Sequence, residues 1–169
     1  MNYYWLFKIQ NDILRPLNSK KGLSMLKSFW FWTLIVLIAI QFLSLNISAK
    51  LPTDSTQEIK APKEIISILK RSCYDCHSSE VKEPWYYNIA PISWVVQLHI
   101  KNGRKVVNFS KWNSYPEDKQ LKVMDKLPKS IVIRMPMPSY LWLHQEAKMS
   151  NNEKKLLNEW AKELKEKIK

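Results

Sequence analysis

Two cysteines and a histidine stand within five residues, Cys73-Tyr74-Asp75-Cys76-His77, and the chain has no other cysteine. Two thiols cannot build a disulfide framework, so the pair must be explained together. Cys-x-x-Cys-His is the attachment signature of c-type haem. Its spacing has a physical reason. Thiols three residues apart on a helical turn can each reach one vinyl group of a porphyrin, and the next residue presents its imidazole to the iron from the same turn. Cys73 and Cys76 are thus the expected covalent attachment points of one haem, and His77 is the expected axial iron ligand. Two other chemistries use such residues. A thioredoxin-like redox pair needs a preceding strand and a βαβ setting, which the sequence lacks. A structural zinc site could be assembled from Cys73, Cys76, His77 and either His99 or His144.

A haem iron has a sixth position, which another residue fills or which stays open. Arg134-Met135-Pro136-Met137-Pro138-Ser139-Tyr140 offers thioethers fixed by prolines in a loop before the last expected helix. Met135 is the leading distal ligand on this reading, with Met137 or His99 as alternatives and His144 behind them. A Met/His pair raises the reduction potential and suits electron transfer. A methionine at such a place can equally fill a gap in the core, and a lone histidine such as His99 on a helix is more often structural. Trp94, Arg104 and Asn108 are candidate haem contacts, able to reach a propionate. An open sixth position would instead suit a haem-based small-ligand sensor or a peroxidase-like protein.

The elements that must hold these residues read as helices. Pro62 suits a first helical turn, and Ile65, Ile66, Ile68 and Leu69 give the helix an apolar side that ends at the cysteines. Residues 78–91, with Pro84, Trp85, Tyr86, Tyr87 and Pro91, read as an irregular loop that lays aromatics over an apolar object. A second helix is expected from Ser93 to about Asn102, with Gly103 near its end. Pro116-Glu117-Asp118 opens a third, carrying Leu121, Val123, Met124 and Leu127 and stopped by Pro128. Ser150-Asn151-Asn152-Glu153 has the capping-box spacing, and Leu156, Leu157, Trp160 and Leu164 then recur on one face. No alternating strand pattern and no repeat is evident, so the domain is expected to be all-α.

Ahead of that domain, Phe29 to Leu45 carries no formal charge. Extended to residues 28–47, the run approaches the ~20 residues a helix needs to cross a bilayer, and it shows no polar face at a helical period. Lys20, Lys21 and Lys27 precede it, which by the positive-inside tendency leaves the amino terminus in the cytoplasm. A signal peptide starting at Met25 is the competing reading, but Ile47 spoils the small-residue cleavage site before Ala49. The resulting organisation is a cytoplasmic segment over 1–27, a transmembrane helix over 28–47, a polar linker over 48–61 and a haem-binding domain over 62–169 in the periplasm. Residues 1–24, with Tyr3, Tyr4, Trp5, Leu6 and Phe7, could form a short interfacial helix.

Charge narrows the partners. Residues 1–49 hold five basic side chains and one acid, +4, which leaves +8 of the total +12 on the remainder. There lysines are spread among acids, with no arginine-rich stripe and interleaved aromatics to mark a nucleic-acid groove. The expected partners are membrane lipid through the N-terminal helix and acidic redox proteins, with no nucleic acid. The expected role is a one-electron carrier and not an enzyme, on the outer face of a bacterial cytoplasmic membrane.

The chain resembles the small membrane-anchored haem-binding domain proteins of bacterial envelopes. The likeness rests on Cys73 to Ser78, Pro84-Trp85-Tyr86, Ala90-Pro91-Ile92-Ser93-Trp94, His99-Ile100 with Gly103-Arg104, and Asn108-Phe109-Ser110 with Trp112. It closes with Met135-Pro136, Tyr140, His144, Ala147 and Trp160. The resemblance implies covalent haem on Cys73 and Cys76, His77 as axial ligand, and a fold similar to monohaem cytochromes c. It also implies a distal methionine in a Met-Pro loop, which favours Met135. The chain departs from the family's Met-Pro-Pro by placing Met137 where the second proline is common.

Overall fold

A computed structural model describes residues 28–43 and 50–169, and every structural statement below concerns those residues. The expected interfacial helix in 1–24, the cytoplasmic segment 1–27 and the stretch 44–49 lie outside them. The chain divides into two compact units, Met1–Leu43 and Ser44–Lys169.

In the first unit, α1 spans Phe29–Ala39 and continues as a 3₁₀ turn over Ile40–Phe42. None of its side chains is buried. Its two polar groups turn back on the helix, Thr33 Oγ1 donating to the Phe29 carbonyl and Gln41 Nε2 to that of Leu37, each at 2.9 Å. No helix among the described residues is long and apolar enough to cross a membrane. The expected span over 28–47 runs on into residues that are not described.

The second unit is built of helices and loops, and the strand-type pairing among its described residues is an isolated antiparallel bridge, Lys50 with Glu80. Helix α2 covers Lys63–Ser72, α3 Tyr74–His77, α4 Ile92–Val106 and α5 Glu117–Ile133. A short α6, Pro138–Leu141, and the terminal α7, Asn151–Ile168, complete the set. A 3₁₀ helix over Phe109–Ser114 joins α4 to α5. The expected all-α class is what the structure has.

One apolar core gathers these elements. Ile65, Ile68 and Leu69 of α2 meet Met124 and Ile131 of α5, Leu157, Trp160 and Ala161 of α7, and Tyr74, Phe109 and Trp112. A smaller cluster of Val81, Tyr87 and Ile100 has Cys76 and Val96 packed against it. Helix α7 begins with the capping box expected from its sequence: Glu153 N–H donates to Ser150 Oγ, and the Glu153 carboxylate accepts from Ser150 N–H. The same carboxylate takes Arg71 Nη2 at 2.7 Å, tying the start of α7 to the end of α2.

Three sequence expectations are corrected. The linker over 48–61 is not a free tether in its described part. Leu51 N–H donates to the Ser79 carbonyl, Ile59 N–H to Phe109 and Asn113 N–H to Gln57, and Ile59 is only 2% exposed. Polar composition predicted a loose strand of chain, but one isoleucine and a few backbone bonds are enough to fasten it. Pro128 does not stop the third helix, since α5 runs through it to Ile133. Proline costs the helix one N–H donor there, and the burial of Met124 and Ile131 on either side offsets the loss. The second helix runs past the expected Asn102 to Val106, which leaves Gly103 inside its last turn. The glycine has another use, given below.

Replacing Ser150 by alanine removes one half of the capping box. Denaturant titration of the full chain in detergent micelles is expected to show a loss of about 1 kcal/mol of stability with the helix content unchanged.

Candidate functional site

Cys73 is the hinge between α2 and α3: its N–H closes α2 on the Leu69 carbonyl, and its own carbonyl accepts from Cys76 N–H at 3.2 Å and His77 N–H at 2.9 Å. The two thiols and the imidazole therefore leave one turn at i, i+3 and i+4, on one side of it. Both cysteines are free thiols. Burial, with smaller contributions from their neighbours, pushes Cys73 up to about 12 and Cys76 up to about 11. At neutral pH both are protonated, unlike the thiolate of a redox-active pair.

The two intervening residues clamp this turn from opposite directions. Tyr74 goes into the core, its ring stacked on Phe109 at 6.0 Å and its hydroxyl donating to Glu58 Oε1 at 2.8 Å. Asp75 reaches outward, and its Oδ2 accepts from Tyr140 O–H at 2.6 Å.

His77 is oriented by α4. Its Nδ1 lies 3.2 Å from the Val107 carbonyl oxygen. A carbonyl can only accept, so Nδ1 carries the proton and Nε2 keeps its lone pair. Burial outweighs the Val107 and Gly103 carbonyls and holds the imidazole below its ordinary pKa, so it is neutral at pH 7. Gly103 allows α4 to come this close. A Cβ there would stand 2.5 Å from the Cys76 carbonyl oxygen.

The residues after His77 are equally fixed. Arg104 Nε donates to the Ser78 carbonyl at 2.8 Å, Asn108 Nδ2 to Ser79 Oγ at 2.9 Å, and Ser79 N–H to Ser110 Oγ at 3.1 Å. Asn108 Oδ1 accepts from Ser110 N–H, capping the 3₁₀ helix. Both ends of the Asn108 amide are thus used inside the protein, in place of the propionate contact expected for it. Arg104 gives at least its Nε to the backbone beside His77. Trp94 is half-buried on α4.

The candidates for the sixth position separate. His144 offers no nitrogen, because its Nδ1 pairs with Glu146 at 3.0 Å and its Nε2 accepts from Tyr86 O–H at 2.6 Å. Its ring also stacks on Tyr140 at 4.3 Å and 9°. His99 is half-buried on α4, one turn before Gly103. Met135 and Met137 are half-buried in the segment between α5 and α6. Met135 N–H donates to the Ser130 carbonyl, and the Met137 carbonyl accepts from Tyr140 and Leu141 N–H. Among the described residues no group of three or more His, Cys, Asp or Glu side chains is placed to hold a metal ion, so the zinc set is not assembled.

The donor set fits a haem: two free thiols, one neutral imidazole with a bare Nε2, and a helix brought against the turn by a missing side chain. A family model described as a haem-binding domain matches residues 35–163. The chain belongs to the haem-binding domain family. The matched span holds all of Cys73 to His77 and both methionines of the segment before α6. No curated protein and no solved structure matches the chain.

Within this haem-binding domain, sequence reasoning gave no role to Val107 or Asp75, and it placed Gly103 near a helix end and Tyr86 in an aromatic loop without finding what either one touches. A glycine in a helical pattern with no turn signature around it was the one visible sign. The aromatic loop is divided: Tyr86 and Tyr87 are buried, whereas Trp85 is 76% exposed, as is Trp142 at 79%. Filling the Gly103 gap with alanine is expected to push α4 off the Cys76 carbonyl and to cost about 1–3 kcal/mol. Denaturant titration against Lys101→Ala, an exposed change on the same helix, measures it.

Proposed function

We propose that the protein carries one haem covalently on Cys73 and Cys76, with His77 as the axial iron ligand and Met135 as the distal one. On this reading it works as a one-electron carrier, a small cytochrome c-like domain. The observation that carries the proposal is the state of His77: a half-buried imidazole held below its ordinary pKa by burial and fixed through Nδ1, so that Nε2 keeps its lone pair, on the same turn as two free thiols. Iron ligation by histidine asks for this tautomer, fixed by a partner on the far nitrogen. When bound, the haem iron supplies reversible one-electron chemistry.

The chain's own residues do the rest. Cys73 and Cys76 fix the ring's edge, while Val107 and Gly103 fix the angle of the imidazole. Arg104, Asn108 and Ser79 stiffen the backbone that follows it. Met135 is favoured over Met137 by the resemblance to the family's Met-Pro loop, and its backbone is tied to the end of α5 by the Ser130 carbonyl; a Met/His pair suits electron transfer.

The uncharged run 28–47 is proposed to anchor the domain in a bilayer, leaving it on the outer face of a bacterial cytoplasmic membrane. Support comes from the absence of charge, from unburied side chains along α1, and from Thr33 and Gln41 bonding to the helix's own carbonyls. A charge of +8 on residues 50–169 favours acidic redox partners by steering, with rates that fall as salt rises.

The test is the full chain made in cells that mature c-type cytochromes. A pyridine haemochrome spectrum and an intact mass raised by one haem after denaturation are the expected results, both lost in Cys73→Ala/Cys76→Ala. A polypeptide with the mass of its amino acids alone overturns the proposal. Oxidised wild type should show the far-red charge-transfer band of methionine ligation. Met135→Ala is expected to lose that band and Met137→Ala to keep it, whereas a five-coordinate wild type that binds carbon monoxide readily points to a small-ligand sensor.

A further inference from the structure

We propose that Tyr140 is a positioning residue for the distal ligand: its hydrogen bond to Asp75 fastens the methionine segment to the turn that bears Cys73, Cys76 and His77. The inference rests on the reading that Met135 completes the iron's ligand set.

The geometry is a short piece of chain held at both ends. At the front, Met135 N–H is bonded to the Ser130 carbonyl at the end of α5. At the rear, Tyr140 lies in α6, which opens directly after Met137 and whose first turn closes on the Met137 carbonyl. From that helix the phenol crosses to Asp75, 65 residues earlier in the chain, and donates to its Oδ2 at 2.6 Å. Asp75 lies between the two cysteines, so this bond ties α6 directly to the attachment turn.

The tyrosine ring is held independently of its hydroxyl. Its face is stacked on His144 at 4.3 Å and 9°, and His144 is in turn fixed by Tyr86 and Glu146. Rotation of the phenol away from Asp75 is therefore opposed by a stack whose own partner cannot turn. Burial, then the Asp75 carboxylate, drives the phenol above its ordinary pKa, which keeps it a donor at physiological pH. Four residues separate Met135 from Tyr140, and part of that interval is helical. A thioether in such a segment has little freedom once both ends are tied, and removing one tie should be felt at the iron before it is felt by the fold.

Tyr140→Phe removes the hydroxyl and keeps the stack. In the full haem-loaded chain, the variant is expected to keep its covalent haem by mass and its helix content by circular dichroism. The far-red band should weaken, and carbon monoxide should bind roughly tenfold more tightly, as suits the loss of one charge-assisted hydrogen bond that holds a competing ligand. Asp75→Ala should behave the same way, whereas Asp75→Asn keeps an acceptor oxygen and should retain most of the band. A Tyr140→Phe protein with the wild-type band and carbon monoxide affinity overturns the proposal. Should that variant fail to mature, Asp75→Ala and Asp75→Asn with indistinguishable spectra overturn it instead. A wild type that holds haem without the band, or holds none, removes the Met135 reading and this inference with it; a wild type with the band and unresponsive variants removes this inference alone.

Discussion

The hydrogen bond from His77 Nδ1 to the Val107 carbonyl is the constraint on which the site depends. An imidazole has two nitrogens and can swing about two torsions. Holding one nitrogen decides both where the ring points and which nitrogen keeps its lone pair. The carbonyl that does this lies just beyond the end of α4, so α4 must run close beside the attachment turn. A side chain at Gly103 would prevent that approach, because its first carbon would meet the Cys76 carbonyl oxygen. The buried polar residues beyond His77 follow from the same need. Ser79, Asn108 and Ser110 are buried and satisfy one another's hydrogen bonds there.

Around that point the turn is braced from two sides by the two residues that stand between the cysteines. Tyr74 commits the turn to the main core, through Phe109 and on to the packing of α5 against α7. Asp75 commits it to α6 and the methionine segment. One short turn thus joins the apolar interior to α6. Its two variable positions are specialised in opposite senses, one apolar-faced and buried, the other charged.

The legible parts of the sequence were those whose meaning is local. That Cys73, Cys76 and His77 share one turn, and that Ser150 with Glu153 starts a helix, could be read because both patterns are satisfied within one turn of chain. Gly103 and Pro128 misled for the complementary reason. Pro128 was taken for a helix stop and Gly103 for the mark of a nearby end, the usual local meanings of their types, but the tertiary setting used them otherwise: Gly103 to admit Cys76, and Pro128 as a tolerated defect between two buried side chains. Ile59 could not reveal that residues 50–61 lie on the domain, since the evidence for it is backbone bonds to Ser79, Phe109 and Asn113, which no side-chain pattern encodes. Asn108 was noticed as an amide near the site, and whether such an amide faces outward or spends itself on Ser79 and Ser110 is decided by contacts 29 residues away and two residues away together.

The apolar side of α2, with Ile65, Ile68 and Leu69, is covered by Leu157, Trp160 and Ala161 of α7, and Arg71 is paired with Glu153 at that helix's start. The two helices therefore depend on each other: whatever loosens α7 uncovers the apolar side of α2, whose last turn ends at Cys73.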